Sequence, residues 1–259
     1  MTSTTSVTLV APRGFPMVGE GDDLPGLILD CLARADIALE SGDVVVLAQK
    51  IVSKAEGRAV ALSFVTPSPR AIELAGQCAK DPRLVELILS EADEVMRVRP
   101  GVIIVRHRLG LVLANAGIDR SNVASADGDG DDRVLLLPAD PDASCRAIRA
   151  ELRARSGADV AVLIIDSLGR AWRNGTVGTA IGVSGIPAVA DLRGNPDLFG
   201  RPLETTEIGL ADEIAAAASL LMGQADEGRP LVLLRGSGLA AAEGNATDLV
   251  RPRALDLFP

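Results

Sequence analysis

Residues 159–175 read DVAVLIIDSLGRAWRNG. Within them, 160–165 is an unbroken apolar run rich in β-branched side chains, which predicts a strand buried on both faces. The run stops at Asp166 and Ser167, and a Gly, two Arg, an Asn and a second Gly follow. The stretch therefore predicts a core strand that delivers a carboxylate and a hydroxyl to its exit, followed by a cationic, glycine-containing loop. Ligands in open α/β architectures sit beyond the carboxyl ends of strands. A carboxylate there can hold a hard metal ion, and arginines can hold anionic oxygens. The plainer alternative is that Asp166 caps a turn and the arginines are solvated.

Upstream of this stretch, 44–48 reads as a second buried strand. It ends in QKIVSKAEGR, which places Gln49, Lys50, Ser53, Lys54, Glu56 and Arg58 within ten residues. Before it, 7–10 is a short strand, and Pro12, Gly14, Pro16, Gly19 and Gly21 keep the next segment irregular. Asp22 or Asp23 starts a helix reaching about residue 38. Helices follow over 70–79 and 84–93, with Pro82 suited to a first turn. Residues 95–99 read as a strand. Residues 102–105 and 109–114 read as a hairpin joined through Arg106, His107 and Arg108. A strand over 134–138 and a helix over 142–155 lead back to the opening stretch. Downstream, 177–189 is glycine-rich and 191–202 a loop, with a strand over 203–210. An alanine-rich helix over 211–222 is stopped by Gly223, and 231–234 is a last strand.

The 259 residues allow ample core, and the composition, 47% apolar and 24% charged, is that of a globular protein. Aromatic residues make up only 2%, so Leu, Val, Ile and Ala must fill the interior. A net charge of −9 argues against non-specific nucleic-acid binding but permits a local cationic site. No apolar run approaches the ~20 residues of a membrane span, and the first residues lack signal-peptide character. Three widely spaced cysteines, Cys31, Cys78 and Cys145, read as reduced thiols of a cytoplasmic protein.

Familiar catalytic templates are missing. There is no GxxxxGK[ST], no strand-linked GxGxxG and no GxSxG elbow. The single histidine, His107, rules out a histidine metal cage and reads as structural. The acidic run 127–132 places Asp127, Asp129 and Asp131 at alternating positions, but Asp132 and Pro138 stand where a calcium loop needs Gly and Glu. What remains is a dispersed set: Lys54, Asp119, Asn122, Asp166, Ser167 and Gln224, with Arg170 and Arg173. Hard oxygens of these types suit Mg²⁺ or Mn²⁺ completed by phosphates.

Six segments then acquire a common meaning. Residues 48–58 (AQKIVSKAEGR), 106–122 (RHRLGLVLANAGIDRSN) and 135–152 (LLLPADPDASCRAIRAEL) are three of them. The others are 166–175 (DSLGRAWRNG), 180–204 (AIGVSGIPAVADLRGNPDLFGRPLE) and 222–230 (MGQADEGRP). Together they resemble the F420 γ-glutamyl ligase family, coenzyme F420-0:L-glutamate ligase, from about residue 7 to 235.

The resemblance implies an α+β fold particular to the family, with mixed sheets and flanking helices, not a P-loop fold, in an intertwined homodimer. It implies one catalytic domain over 1–259, divisible into two subdomains with no marked boundary. It implies the stand-alone form, without a C-terminal nitroreductase-like domain. The implied activity is GTP-dependent amide ligation of L-glutamate to coenzyme F420-0 through an acyl phosphate, releasing GDP and phosphate. Two divalent cations, Mn²⁺ or Mg²⁺, are implied, with K⁺ as an aid. No nucleic acid or membrane partner is implied.

Carried over by motif, Asp119 and Asp166 hold the first metal, and Ser167 and Gln224 help hold the second. The nucleotide contacts Phe15, Pro16, Met17 and Val18, then Gln49, Lys54 and Asn122. It also contacts the run Met222, Gly223, Gln224, Ala225, Asp226, Glu227, Gly228 and Arg229. Lys54 and Arg170 join the two aspartates as the catalytic set. One departure stands out: after Gly175 many relatives read Gln-Thr-Asp, where this chain reads Thr176-Val177-Gly178. The competing readings are a metal-dependent phosphohydrolase and a nucleotide- or deazaflavin-binding protein with impaired catalysis.

Overall fold

The computed structural model describes residues 6–120 and 132–256. In chain order the elements are β1 (Thr8–Val10), α1 (Leu24–Arg34), β2 (Val44–Ala48), α2 (Gln49–Ala55) and β3 (Ala59–Ala61). Next come α3 (Pro69–Cys78), α4 (Pro82–Ser90), β4 (Ala92–Arg99), β5 (Val102–His107) and β6 (Val112–Ala114). Then follow β7 (Arg133–Leu135), α5 (Pro141–Ser156), β8 (Ala161–Arg170) and β9 (Arg173–Ser184). The last are β10 (Ala190–Asp191), β11 (Glu207–Ile208), α6 (Leu210–Met222) and β12 (Leu231–Arg235).

Five strands form the central sheet in the order β1-β12-β2-β8-β9. Only β2 and β8 run parallel; the other neighbours are antiparallel. The continuous apolar runs of β2 and β8 have the expected cause. Val45, Leu47, Val162 and Ile164 pack on one face with residues of α1, α2 and α5. Their alternates Val44, Val46, Leu163 and Ile165 pack on the other face with α6. Period-two alternation thus feeds two cores from one run.

A third core lies beside the sheet. Residues of α3 and α4 (Ala71, Ala75, Leu84, Val85, Ile88) pack on Ile103 and Val105 of β5 and Val134 of β7. The strands here form a three-stranded sheet, β4-β5-β6, and a two-stranded ribbon, β3-β7. The architecture is a mixed α+β one, as expected for fold class. No helix among the described residues is long and apolar enough to cross a membrane.

Several expectations need correction. Residues 49–55, to which the sequence reading gave no element, are a helix, because Ile51 and Val52 turn into the first core while Lys50 and Lys54 stay on one side. α1 ends at Arg34, four residues short of the predicted end, where Asp36 takes φ 56. The segment after Asp166 is not a loop but the distal half of a long hairpin, with Trp172 at its tip in the left-handed region at φ 62. The glycine-rich segment from residue 177 belongs to β9, whose buried end packs against α5 and α6.

β9 is an edge strand, yet three N–H groups toward its buried end find side-chain acceptors. Gly178 N donates to Ser219 Oγ (3.3 Å), Ala180 N to Asp212 Oδ1 (2.9 Å) and Val183 N to Asp142 Oδ1 (2.8 Å). The three cysteines are free and buried, and His107 is fully buried.

Glu91, which follows α4, is the one buried carboxylate met by two arginines and the histidine in the described residues. Arg58 Nη2 lies 2.9 Å from each of its oxygens. Arg108 Nε is at 3.2 Å and His107 Nε2 at 3.4 Å. Burial pushes the Glu91 carboxyl up, but the His107 and Arg58 contacts and the charges of Arg58 and Arg108 outweigh it, holding the group at about 2. Its folded value lies below the ordinary 4.5. The stabilisation is therefore complete above pH 4.5 and is lost as pH falls toward 2. Melting temperature measured across that window should drop more steeply for the native protein than for Glu91→Gln. Equal slopes would show that this carboxylate carries no linked stability.

Candidate active site

One edge of the central sheet gathers the candidate residues. Ala48, the last residue of β2, pairs with Ile165, so Gln49 and Asp166 emerge side by side. Ala48 N donates to Pro230 O (2.9 Å), which brings the segment before β12 to the same edge. α6 runs antiparallel to β9, with Asp212 beside Ala180 and Ser219 beside Gly178. Its C-terminus and residues 223–224 therefore reach that edge too.

Asp119 comes from a different part of the chain. It follows the 3₁₀ turn Asn115–Gly117 and is held by β7: Asp119 N donates to Leu135 O (3.0 Å) and Leu135 N to Asp119 O (2.8 Å). Its carboxylate meets Lys50, with Nζ 2.6 Å from Oδ2. Asp166 lies within electrostatic reach of both. Burial raises the Asp166 carboxyl above its ordinary value, the Ser167 N–H opposes this, the Asp119 charge raises it further, and Lys50 opposes. Lys54 lies one turn beyond Lys50. Burial, then the Lys50 charge, lowers the Lys54 ammonium. The structure thus brings two of the predicted residues, Asp119 and Asp166, into one electrostatic unit and sets Lys54 beside it through Lys50.

Ser167 is divided from that unit. Alternation along β8 turns Asp166 and Leu168 toward α2, and Leu168 packs on the first core. Ser167 faces the other way, opposite Gly178, over which Ser219 of α6 lies. The predicted first-metal pair and second-metal pair therefore sit on opposite faces of one strand end, with Gln224 two residues past α6 on the Ser167 side.

The remaining candidates are placed as follows. Gln49 is buried, and its amide oxygen accepts from Ser53 Oγ (2.8 Å). Arg170 is exposed on the hairpin arm, with Nη2 3.4 Å from Asn174 O, and Arg173 is exposed beside it. Phe15 and Val18 pack on the first core, while Pro16 and Met17 face outward. The segment 222–229 folds tightly. Met222 is buried in the second core and Gly223 ends α6 with φ 75. Glu227 Oε2 accepts from Ala225 N (2.9 Å), and Arg229 Nη1 donates to Leu221 O (3.4 Å). Backbone N–H groups of Ala225, Glu227 and Gln224 hold the Glu227 carboxyl below its ordinary value. Asp226 is exposed and Gly228 takes φ 61. Asn122 and the acidic residues Asp127, Asp129 and Asp131 lie outside the described residues.

The residue that sequence reading underweighted is Lys50. Its signal was available: Lys50 and Lys54 are four apart, which on a helix places both on one face. With no element assigned to the segment, that spacing carries no meaning.

Among the described residues no three His, Cys, Asp or Glu side chains converge to form a metal cage. Two carboxylates and two ammonium groups gathered at the carboxyl ends of the parallel strands β2 and β8 define a charged site of the kind that can hold a cation and an anionic ligand. The comparisons make this specific. The chain matches the family model described as F420-0:Gamma-glutamyl ligase over residues 14–236. It is 46% identical over 254 residues to the coenzyme F420:L-glutamate ligase of Methanothermobacter thermautotrophicus, covering 97% of this chain and 98% of that one. It is also 46% identical over 245 residues to the Methanopyrus kandleri protein of the same name, covering 93% of each. The Archaeoglobus fulgidus protein of that name is 41% identical over 246 residues, covering 95% and 94%. The chain belongs to the F420-0:gamma-glutamyl ligase family and is an enzyme of the ligase class.

Proposed function

We propose that this chain is a GTP-dependent ligase that joins L-glutamate to coenzyme F420-0, a step of coenzyme F420 biosynthesis. The observation that carries the reading is the electrostatic coupling of Asp119 and Asp166, 47 positions apart in sequence, with Lys50 and Lys54 beside them. Adjacent carboxylates raise each other's proton affinity, and such a pair is retained where a cation is to be held.

The donors fit a hard divalent ion only if substrate oxygens complete its shell, which is the usual arrangement for Mg²⁺ with phosphates. Asp119 and Asp166 would hold the first ion, and Ser167 and Gln224, across β8, the second. Bound Mn²⁺ or Mg²⁺, with K⁺ as an aid, would supply charge neutralisation at the phosphates. The chain's own groups do the rest. Lys54 places a point charge on a phosphate, and Lys50 balances Asp119. The N–H groups of the 223–227 turn, which already donate to the Glu227 carboxylate, are donors of the kind that bind phosphate oxygens. Arg170, exposed on the hairpin arm, would clamp a substrate carboxylate bidentately. Phe15, Pro16, Met17, Val18, Gln49, Asn122 and the 222–229 segment would frame the nucleotide.

In the proposed reaction a terminal carboxylate oxygen of F420-0 attacks the γ-phosphorus, and GDP leaves. The glutamate amine attacks the acyl carbon, phosphate leaves, and the amine gives up a proton. Phosphoryl transfer of this kind needs in-line positioning and charge neutralisation more than a covalent protein group. The fold we assign to this chemistry is not a P-loop fold. It acts as an intertwined cytoplasmic homodimer, with one catalytic domain of two subdomains.

The test is incubation with F420-0, glutamate, GTP and Mn²⁺, followed by mass analysis of the deazaflavin. One added glutamyl mass with stoichiometric GDP supports the reading. Phosphate release without glutamate or F420-0 would instead make the protein a phosphohydrolase. Tight GTP binding without product would favour an impaired binding protein, a reading to which Gly178 lends support.

A further inference from the structure

Glu91 belongs to the third core, outside the site, yet its bonds lead to both members of the Lys50–Asp119 pair. Arg58 Nη2 lies against both Glu91 oxygens, while Arg58 Nε donates to Leu137 O (2.9 Å). The Arg58 backbone completes the joint: its N–H donates to Ser53 O of α2 (2.9 Å) and its carbonyl accepts from Leu136 N (3.1 Å). One residue thus ties the helix that carries Lys50 to the strand segment that follows Leu135. Leu135 is the residue that holds the Asp119 backbone on both sides. The β3-β7 ribbon, which starts one residue after Arg58, pairs Ala59 with Leu135 and closes the same circuit.

Arg58 has two targets, a carbonyl and a carboxylate, and only a planar fork reaches both. Without the Glu91 carboxylate, nothing among the bonds just described fixes the rotation of the guanidinium about its Leu137 contact. Arg108 adds a second link, from Glu91 to Ala139 O (2.9 Å), next to α5.

We propose that Glu91 is a positioning residue of the ligase site, acting through Arg58 to hold α2 and the Asp119 segment at the spacing that the Lys50–Asp119 pair requires. This rests on the reading of that pair as part of the site.

The chain has three lysines, Lys50, Lys54 and Lys80, which permits a test that does not depend on turnover. Limiting acetic anhydride is applied to the native protein, Glu91→Gln and Arg58→Lys, and each lysine's acetylation rate is read by mass spectrometry against Lys80. Circular dichroism at the same temperature establishes which variants are folded. Arg58→Lys keeps the charge beside Glu91 but cannot span both contacts, so it serves if Glu91→Gln does not fold. Lys50 labelling relative to Lys80 should rise about 10-fold in the folded variants, and the nucleotide KM should rise by a similar factor, the scale of outer-shell losses. The KM for glutamate should stay put, which a general loss of stability would not produce. A folded variant with an unchanged Lys50 ratio and an unchanged nucleotide KM overturns the proposal. If the native protein forms no glutamylated product, the ligase reading fails, and the labelling ratio still decides whether Glu91 holds the pair.

Discussion

Replacing Asp166 by Asn is expected to cut ligation by about 10²- to 10³-fold, the range seen when one preorganised charge partner is removed, while raising the melting temperature at neutral pH. The two effects have one cause. Burial, with the Asp119 charge adding to it, lifts the Asp166 carboxyl above its ordinary 3.8. The ionised form is therefore disfavoured in the folded metal-free state. Below pH 3.8 the group is protonated folded and unfolded alike, and costs nothing. As pH rises from 3.8 through the raised folded value, the penalty grows, and it is complete above that value. Asn keeps the shape and removes the charge. Melting curves of the two proteins without divalent ion should therefore converge in acid and separate toward pH 8, with the variant higher. Near-native ligation by the variant with added Mn²⁺ would remove Asp166 from the reaction. A variant less stable at neutral pH would show that Lys50 fully compensates the buried charge.

The second large effect concerns Gly178, the residue of β9 over which α6 packs. A Cβ at this position would stand 2.3 Å from the Ala215 carbonyl oxygen and 2.6 Å from Ser219 Cβ. The first of these is helix backbone and cannot rotate aside. To make room, α6 would have to lift Ala211, Ile214, Ala215, Ala218 and Met222 from the second core. Overpacking of this kind costs about 1–3 kcal/mol. An Asp adds the cost of desolvating a carboxylate unless a cation meets it. Gly178→Asp should lower the melting temperature by about 5 °C or more for a chain of this size. Gly178→Ala, which adds the Cβ alone, should show most of that loss. If both variants melt with the native protein, α6 must sit further from β9 than the geometry states. The close approach also bears on the site, because Ser167 is the cross-strand neighbour of Gly178 and α6 ends at Gly223. Filling Gly178 would shift the 223–229 turn relative to Ser167, so activity should fall together with stability.

Much of the fold was legible where one kind of signal acted alone. The runs of β2 and β8 announced themselves because strands covered on both faces need apolar side chains at every position. α5 and α6 were found within a few residues, the second because Gly223 ends it, while the Asp140 cap that starts the first came only with the structure. α2 was not found. It spans only Gln49–Ala55, has no capping side chain and carries more polar than apolar residues. Its stability comes from Ile51 and Val52 reaching the first core, which a local window does not contain. The hairpin arm beyond Asp166 was read as a loop for a related reason. Gly169, Gly175 and Gly178 weaken strand propensity, but cross-strand pairing of Leu168, Gly169 and Arg170 with Val177, Thr176 and Arg173 overrides it. At the site, side-chain chemistry was visible, while the partition of Asp166 and Ser167 to opposite faces was not.

By itself, the order of residues determined which stretches must be buried, where the central strands run and which polar groups stand at their exits. Those properties follow from local periodicity and from the solvation cost of each side chain. Only the folded chain decided that Lys50 meets Asp119, that Asp119 presses on Asp166, and that α6 rests on a glycine. Each of those depends on the separation in space of residues dozens of positions apart. Coulomb and contact energies are functions of separation in space, and sequence spacing carries that information only within a single helix or strand.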